Sequence, residues 1–123
     1  MCPESEGVLR EPTLSEYQLL GRLVSSGFAG SDQLADQLPG LLVSNIDSDG
    51  SLRLRPVRGG AADVVRRIPV EATYADAGGG LVHVLLHVID GQLDELEIYR
   101  EDSGPVSVGP TEAVELEIDP WRD

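Results

Sequence analysis

The sequence predicts an α+β domain: two N-terminal helices packed on one face of an antiparallel meander sheet of five or six strands. Apolar residues recur at helical spacing up to residue 38, and the pattern alternates from residue 41 onward. Turn signals then follow at hairpin intervals, at Asp49-Gly50, Gly59-Gly60, Gly78-Gly79-Gly80 and Asp90-Gly91. A chain of 123 residues has the size of one domain. We expect residues 13–123 to form it, after a mobile lead at 1–12.

The first predicted helix has a clear start and end. Thr13 is a good N-cap, and Glu16 three residues later completes a capping box. Gly27 is a suitable C-terminal cap, so the helix is expected over residues 14–26. Its apolar stripe comprises Leu14, Tyr17, Leu19 or Leu20, Leu23 and Val24.

A second, shorter helix follows. Ser31 is its expected N-cap, and Leu34 and Leu38 lie on one side of it. It should end before Pro39, because a proline disfavours helical geometry in the residue before it.

The alternating part of the chain predicts six strands, the last less firmly marked than the others. The third carries Pro69, which suggests an edge strand or a bulge because proline cannot donate to a ladder. The strands are expected at about 41–47, 51–57, 65–75, 81–89, 93–101 and 112–118.

Charge is the strongest compositional signal. The chain has 22 acidic residues against nine arginines, no lysine, and a formal net charge of -13. Such a surface repels phosphates, so nucleic acid is not an expected partner. One cysteine allows no internal disulfide and is typical of a reducing cytoplasm. No segment approaches the roughly 20 apolar residues of a spanning helix, and the N-terminus lacks the pattern of a signal peptide, so we expect a cytoplasmic protein without membrane contact.

Five of the arginines fall within one 15-residue window, which leaves a small anionic-ligand site open. The alternative is that they balance carboxylates on the outer face of two strands. These arginines are Arg53, Arg55, Arg58, Arg66 and Arg67.

The segment LVHVLLHVIDG places His83 and His87 four residues apart, as a helical metal motif would. The run is rich in β-branched residues, follows a triple glycine and ends in Asp90-Gly91, so it predicts a strand. On a strand the two histidines lie about 13 Å apart, too far to share one ion. We expect no metal site here.

Two hairpin registers compete for these histidines. A two-residue turn sets His87 opposite Asp94, whereas a three-residue loop sets His87 opposite Glu95 and His83 opposite Tyr99. The second is favoured, because it alone gives one continuous apolar face. Under it a polar patch forms on the outer face of the sheet, from His83, His87, Glu95, Glu97 and Tyr99.

Other motifs carry less chemistry. NIDSDGSL copies the first eight positions of an EF-hand loop, but Pro56 stands where the bidentate glutamate belongs, so we interpret it as a hairpin tip. Cys2 has no positioned base beside it and is not expected to be a nucleophile. Trp121 is expected to dock the C-terminal tail onto the body; its alternative is an aromatic anchor for a partner.

The run IPVEATYADAGGGLVHVLLHVIDGQLDELEIYREDSGP resembles a family of small uncharacterised bacterial proteins, notably of actinomycetes. They share a PVEA strand, an HVLLHV-DG-L-ELEIYR hairpin and two helices upstream. The resemblance covers residues 14–104 and implies an α+β domain of unknown function. It implies no catalytic or binding residue.

The leading functional hypothesis is a non-enzymatic module that binds a basic protein partner, such as an inhibitor or immunity protein against a secreted toxin. Two alternatives stay open: a ligand-binding or enzymatic domain that uses the His/Glu/Tyr patch and the arginines, and an accessory subunit that dimerises through a strand edge. No catalytic residue and no cofactor is assigned, and the chain is expected to be a monomer or a homodimer.

Overall fold

The computed structural model describes residues 8–110 and 115–121. These residues form an α+β domain with two short helices and one six-stranded antiparallel sheet. No helix among them is long and apolar enough to cross a membrane. The helices are α1 (Leu14–Val24) and α2 (Ser31–Ala35). The strands are β1 (Leu42–Asn45), β2 (Leu52–Arg55), β3 (Val70–Ala75), β4 (Leu81–Ile89), β5 (Gln92–Arg100) and β6 (Glu117–Pro120).

Helix α1 begins as the capping box predicts. The Glu16 backbone N–H donates to Thr13 Oγ1 at 3.1 Å, and the Thr13 N–H donates to Glu16 Oε1 at 2.9 Å. The helix ends at Val24, two residues earlier than expected, since the Ser26 N–H and hydroxyl both bond the Leu23 carbonyl. Leu14, assigned to the apolar stripe, is 72% exposed. The buried stripe is Leu19, Leu20, Leu23 and Val24.

Helix α2 differs from its prediction at both ends. Gly30 is the N-cap, with a φ of 87°, and Ser31 is the first helical residue. The helix ends at Ala35, whereas we expected it to reach Leu38. Leu38 is nevertheless buried, and its backbone N–H donates to the Ala35 carbonyl. The apolar spacing predicted burial correctly and the helix length wrongly.

The strand order is β1-β2-β5-β4-β3-β6, and all neighbours are antiparallel. The predicted meander is therefore wrong at two connections. Residues 56–69 leave β2, and β5 pairs beside it instead of β3; β6 then pairs with β3 and not with β5. The expected hairpin turn at Gly59-Gly60 lies within the first of these connections. Pro56 follows the end of β2, and Pro69 precedes β3, which begins at Val70 and not at residue 65. Each proline lacks the N–H that would continue a ladder.

The last strand also differs from its prediction. It was expected over 112–118, of which residues 112–114 lie outside the described residues, and it is found at Glu117–Pro120. Most of the predicted lead, residues 1–7, also lies outside them. In the described part of the lead, Arg10 exchanges two backbone hydrogen bonds of 2.8 Å with Val43. The mobility of residues 1–12 stays a prediction.

One cluster of buried side chains forms the core. It joins the buried stripe of α1 and Leu34 of α2 to every second residue of the strands. The strand members with 0% exposure are Val43, Val82, Val84 and Leu86. Residues that alternate with these lie on the opposite face of the sheet, which we call the outer face.

Candidate functional site: the outer face of the sheet

The β4–β5 hairpin positions most of the outer face. Its turn has two residues, Asp90 and Gly91, with φ values of 54° and 77°, and Ile89 pairs with Gln92 across it. Positive φ at both positions matches the right-handed twist of the strands, and an Asp-Gly pair adopts it readily. The three-residue loop that we favoured is therefore wrong.

A β-bulge restores the register that we expected from that loop. Val88 pairs with Leu93, but His87 pairs with Glu95, so Asp94 is an extra residue on β5. Beyond the bulge every pair follows the favoured register, because only this one keeps the apolar residues on the core side. The predicted facing of the histidines is thus confirmed, for a different local reason.

Gln37, which follows α2, holds the hairpin turn from below. Its side chain is 0% exposed; its amide donates to the carbonyls of Gly91 at 2.8 Å and Gly60 at 3.0 Å. Its Oε1 accepts the Leu93 N–H at 2.9 Å. The Gly91 carbonyl also accepts the Ala62 N–H at 2.7 Å. The turn residue Gly91 and the nearby Leu93 are therefore fixed by a buried amide that the sequence analysis missed.

His87 lies at the centre of the outer face and is 9% exposed. Its Nε2 is 2.8 Å from Glu97 Oε1, and Arg67 Nε is 3.2 Å from its Nδ1. A guanidinium can only donate, so Nδ1 is the acceptor, and a neutral imidazole then carries its proton on Nε2 and donates to Glu97. Both ring nitrogens are occupied.

His83 belongs to a separate cluster nearer the start of β4. Its ring stacks on Tyr99, with centroids 5.1 Å apart and an angle of 16° between the planes. Its Nε2 is 2.8 Å from Glu101 Oε1, a carboxylate outside the predicted patch. The predicted patch therefore shares one face but divides into two clusters, one around each histidine.

The cluster around His87 includes a possible set of metal ligands. Nitrogen and oxygen atoms of His87, Glu95 and Glu97 all lie within 4.8 Å of one another. Zinc accepts such donors at about 2.0–2.2 Å. Binding through Nε2 would move the ring proton to Nδ1, where it would face the N–H of Arg67. The hydrogen bond from Arg67 to Nδ1 therefore opposes a metal at Nε2. The metal site weighed from the sequence joined the two histidines and did not include Glu95 or Glu97.

The five clustered arginines divide among different partners. Arg53 lies 3.3 Å from Asp94 and 3.6 Å from Glu95, across the β2–β5 pair. Arg67 bonds His87, and the Arg66 guanidinium lies over a different residue, Trp121. Of the two arginines on β2, Arg53 balances carboxylates on the outer face, as the second of the two interpretations expected.

Strands β3 and β6 show the opposite pattern. Glu71 stands directly across from Asp119, and Thr73 across from Glu117. The four side chains line a shallow depression on the outer face. Within residues 8–110 and 115–121, no arginine or histidine forms an ion pair with Glu71, Glu117 or Asp119.

The C-terminal tail is docked at the end of this depression. The Trp121 N–H donates to the Pro69 carbonyl at 2.7 Å, and the Arg66 guanidinium carbon lies 3.5 Å from the ring centroid. The predicted docking of the tail is confirmed. The ring is still 44% exposed.

A buried carboxylate outside the predicted patch fixes the segment after β5. Asp76 is 5% exposed, and its oxygens accept the N–H groups of Ser107 at 2.9 Å and Val108 at 2.7 Å. Arg100 Nη1 lies 3.3 Å away. The Ser107 hydrogen bond above all, then that of Val108 and the charge of Arg100, hold the pKa of Asp76 below its usual range.

The hairpin tip that copies an EF-hand uses its carboxylates locally. Asp47 Oδ1 accepts the N–H groups of Asp49 at 3.0 Å and Ser51 at 3.1 Å. Asp49 Oδ1 accepts the Val106 N–H at 3.1 Å. The segment joins β1 to β2, so the hairpin interpretation is confirmed.

Fold and surface together define a small α+β domain with a polar outer sheet face. The chain belongs to the family called domain of unknown function DUF6984, whose model matches residues 9–110. The expected membership in a family of unknown function is confirmed. Neither the curated proteins nor the solved structures contain a significant match to the chain.

Proposed function

We propose that the protein is a non-enzymatic module that binds a basic protein partner through part of its outer face. The surface concerned, which we call the acidic half-face, consists of Glu71, Glu97, Glu117 and Asp119 on β3, β5 and β6. One observation carries the proposal: three of these four carboxylates have no cation beside them among the described residues, and the fourth bonds only a histidine. Like charges left side by side cost stability, which a basic partner would recover.

The proposal requires the outer face to be open. We take both helices to lie on the opposite face, because their buried leucines belong to one cluster with the inward strand residues. On β2 and β5 the outer positions alternate with those residues and most of them carry charges. A polar face that is structured by the sheet, and that neither described helix covers, suits recognition by a protein surface.

Charge supports the same kind of partner. A net charge of -13 raises the rate at which a basic protein meets this chain, because the field of the whole molecule steers the encounter. Steered pairs of this kind include inhibitors and the enzymes they block. We therefore propose an inhibitor or immunity protein for a basic toxin, acting in the cytoplasm.

The hydrogen bonding of His87 favours binding over catalysis on this face. A general base needs a free nitrogen within reach of a substrate proton. Arg67 occupies Nδ1, and Glu97 occupies Nε2. The ring is held as a structural member of the surface.

Affinity capture from the native host's lysate tests the proposal. The tagged protein is compared with a neutralised variant, Glu71→Gln/Glu117→Gln/Asp119→Asn, and eluates at low and high salt are identified by mass spectrometry. The matched control removes three exposed charges elsewhere, as Glu11→Gln/Asp36→Asn/Asp63→Asn. We expect the wild type and the control to retain a basic protein that salt releases, and the neutralised variant to lose it.

Two results would contradict the proposal. Equal capture by all three proteins would place the binding surface elsewhere. Recovery of the chain alone, as a symmetric dimer that persists in high salt, would favour the accessory-subunit alternative.

A further inference from the structure

Strand β6 covers an edge of β3 that the rest of the sheet leaves unpaired. The family model matches residues 9–110, which contain β1 to β5, and in that part of the chain β3 is an edge strand. Beyond it, residues 117–120 add β6 to the same edge. The edge of β3 is thus a place that accepts an extended strand, and here the chain's own tail occupies it.

Several contacts hold the tail on this edge. Ile118 lies opposite Ala72 and packs against the core cluster. The Trp121 N–H reaches the Pro69 carbonyl, and the Trp121 ring lies under Arg66. These contacts specify an antiparallel strand with an inward apolar side chain and an aromatic residue three positions later.

The tail fits the edge poorly in two respects. Asp119 lies directly opposite Glu71, and such like-charge pairs across strands are destabilising. Pro120 has no N–H to donate to a ladder. A segment with the same apolar position but a basic side chain opposite Glu71 would keep the favourable contacts and convert the repulsive pair into an attractive one.

We propose that the edge of β3 is the binding site for such a segment of the partner, and that residues 117–121 are a weak internal occupant which it displaces. This inference rests on the proposed function, since it names how the basic partner binds. Strand addition to a sheet edge is a common mode of peptide recognition, in which backbone hydrogen bonds give affinity and alternate side chains give specificity. Displacement of the tail would also open the acidic half-face to the rest of the partner.

A peptide titration of the full-length wild-type chain tests the inference. Trp121 is the only tryptophan, so its emission reports release of the tail. The probe is a synthetic peptide of residues 115–121 that carries Asp119→Lys and Trp121→Phe. We expect saturable binding with a red shift of the Trp121 emission, because the ring leaves Arg66 for water.

The matched peptide carries Trp121→Phe alone and keeps the aspartate. We expect it to bind about twofold to thirtyfold more weakly, since each cross-strand charge pair contributes about 0.2–1 kcal/mol and the lysine reverses its sign. In the Glu71→Gln protein this preference should disappear. The proposal would be overturned if the wild type bound the two peptides equally well, or if it bound a scrambled peptide as tightly as the lysine peptide.

A second protein separates tail competition from peptide affinity. In the full-length Ile118→Asp variant, docking of the tail would bury a carboxylate, so the tail should leave the β3 edge free. We expect this variant to bind the fluorescein-labelled lysine peptide on the order of tenfold more tightly than the wild type does, as measured by fluorescence anisotropy. Unchanged affinity in a variant that is folded by circular dichroism would contradict displacement. If the variant does not fold, the wild-type titration decides.

The two proposals can fail separately. Peptide binding at the β3 edge without any basic protein in the affinity capture would refute the proposed function and leave the strand site standing. Capture of a basic protein by the acidic half-face, with no shift of the Trp121 emission by the lysine peptide, would refute the strand site alone.

Discussion

The two halves of the outer face, one along β2 and β5 and the other the acidic half-face, differ in how their carboxylates are paired with cations. Along the β2–β5 pair, Arg53 lies between Asp94 and Glu95, so each of these two carboxylates has a cation within 4 Å. Among the residues that the structure describes, Glu97 on β5 has only His87 beside it and belongs to the acidic half-face. On β3 and β6, Glu71 and Asp119 face each other with no such cation among the described residues. One half is internally balanced and the other is not. We propose that the unbalanced half is the one that meets the charges of a partner.

The comparison depends on the hairpin register, because the bulge decides which carboxylates face His87. The largest expected effect is therefore at Gln37, which fixes the turn. Gln37→Leu should remove the hydrogen bonds to the Leu93 N–H and the Gly60 carbonyl, leave the Gly91 carbonyl with the Ala62 N–H alone, and lower the free energy of unfolding by about 2–4 kcal/mol. Urea denaturation measures this loss. Gln18→Leu, on the exposed side of α1, is the control. If both substitutions changed the free energy of unfolding by a similar small amount, the turn would not need the Gln37 amide.

A second effect concerns Asp76, whose charge is satisfied inside the protein, unlike those of the acidic half-face. Because its pKa is lowered on folding, its stabilisation is present above the ordinary carboxyl pKa and is lost as the pH falls through the folded value. Asp76→Asn should therefore lower the melting temperature at pH 7, with a difference from wild type that shrinks as the pH falls below about 4. Scanning calorimetry across this range, with Asp36→Asn as the control, checks it. A difference that grows in acid would contradict the assignment.

The third prediction concerns the boundary between the two halves, at His87. Arg67→Leu removes the donor that opposes a proton on Nδ1 and should raise the affinity for zinc on the order of tenfold over a weak wild type, since groups that bond the distal ring nitrogen change metal affinity by about this factor or more. Isothermal titration measures both proteins. Arg67→Leu/His87→Gln should lose the gain, and tight one-to-one zinc binding by the wild type would refute the role of Arg67.

The smallest effects compare the halves directly. Glu71→Gln removes a repulsion and should raise the free energy of unfolding by about 0.2–1 kcal/mol at low salt. Glu95→Gln removes an attraction and should lower it by about 0–1 kcal/mol. Urea midpoints at low and high salt provide the measurement. Shifts of the same sign, or shifts that salt does not reduce, would remove the basis of the comparison.

Local signals predicted the elements that depend on neighbouring residues. The Thr13 capping box, the strand nature of the run around His83 and His87, and the alternation that sets the hairpin register were all readable from the chain. These features follow from period and cap chemistry, which act over a few residues.

Features that depend on distant residues were not predictable. The pairing of β2 with β5 brings Arg53 to Glu95, 42 positions away, and no pattern near either residue indicates it. The same is true of Gln37 beneath Gly91. The bulge at Asp94 was missed because a three-residue loop gives the same facing, so alternation alone could not distinguish them.

The most direct test of the account is the salt dependence of binding to the basic protein that affinity capture identifies. Between about 0.1 and 1 M salt the screening length falls from about 10 to about 3 Å. We predict that the wild-type Kd weakens on the order of tenfold or more over this range, and that the slope flattens in Glu71→Gln/Glu117→Gln/Asp119→Asn but not in the matched control. Equal slopes for all three proteins, or a Kd that salt does not change, would contradict a role for the acidic half-face.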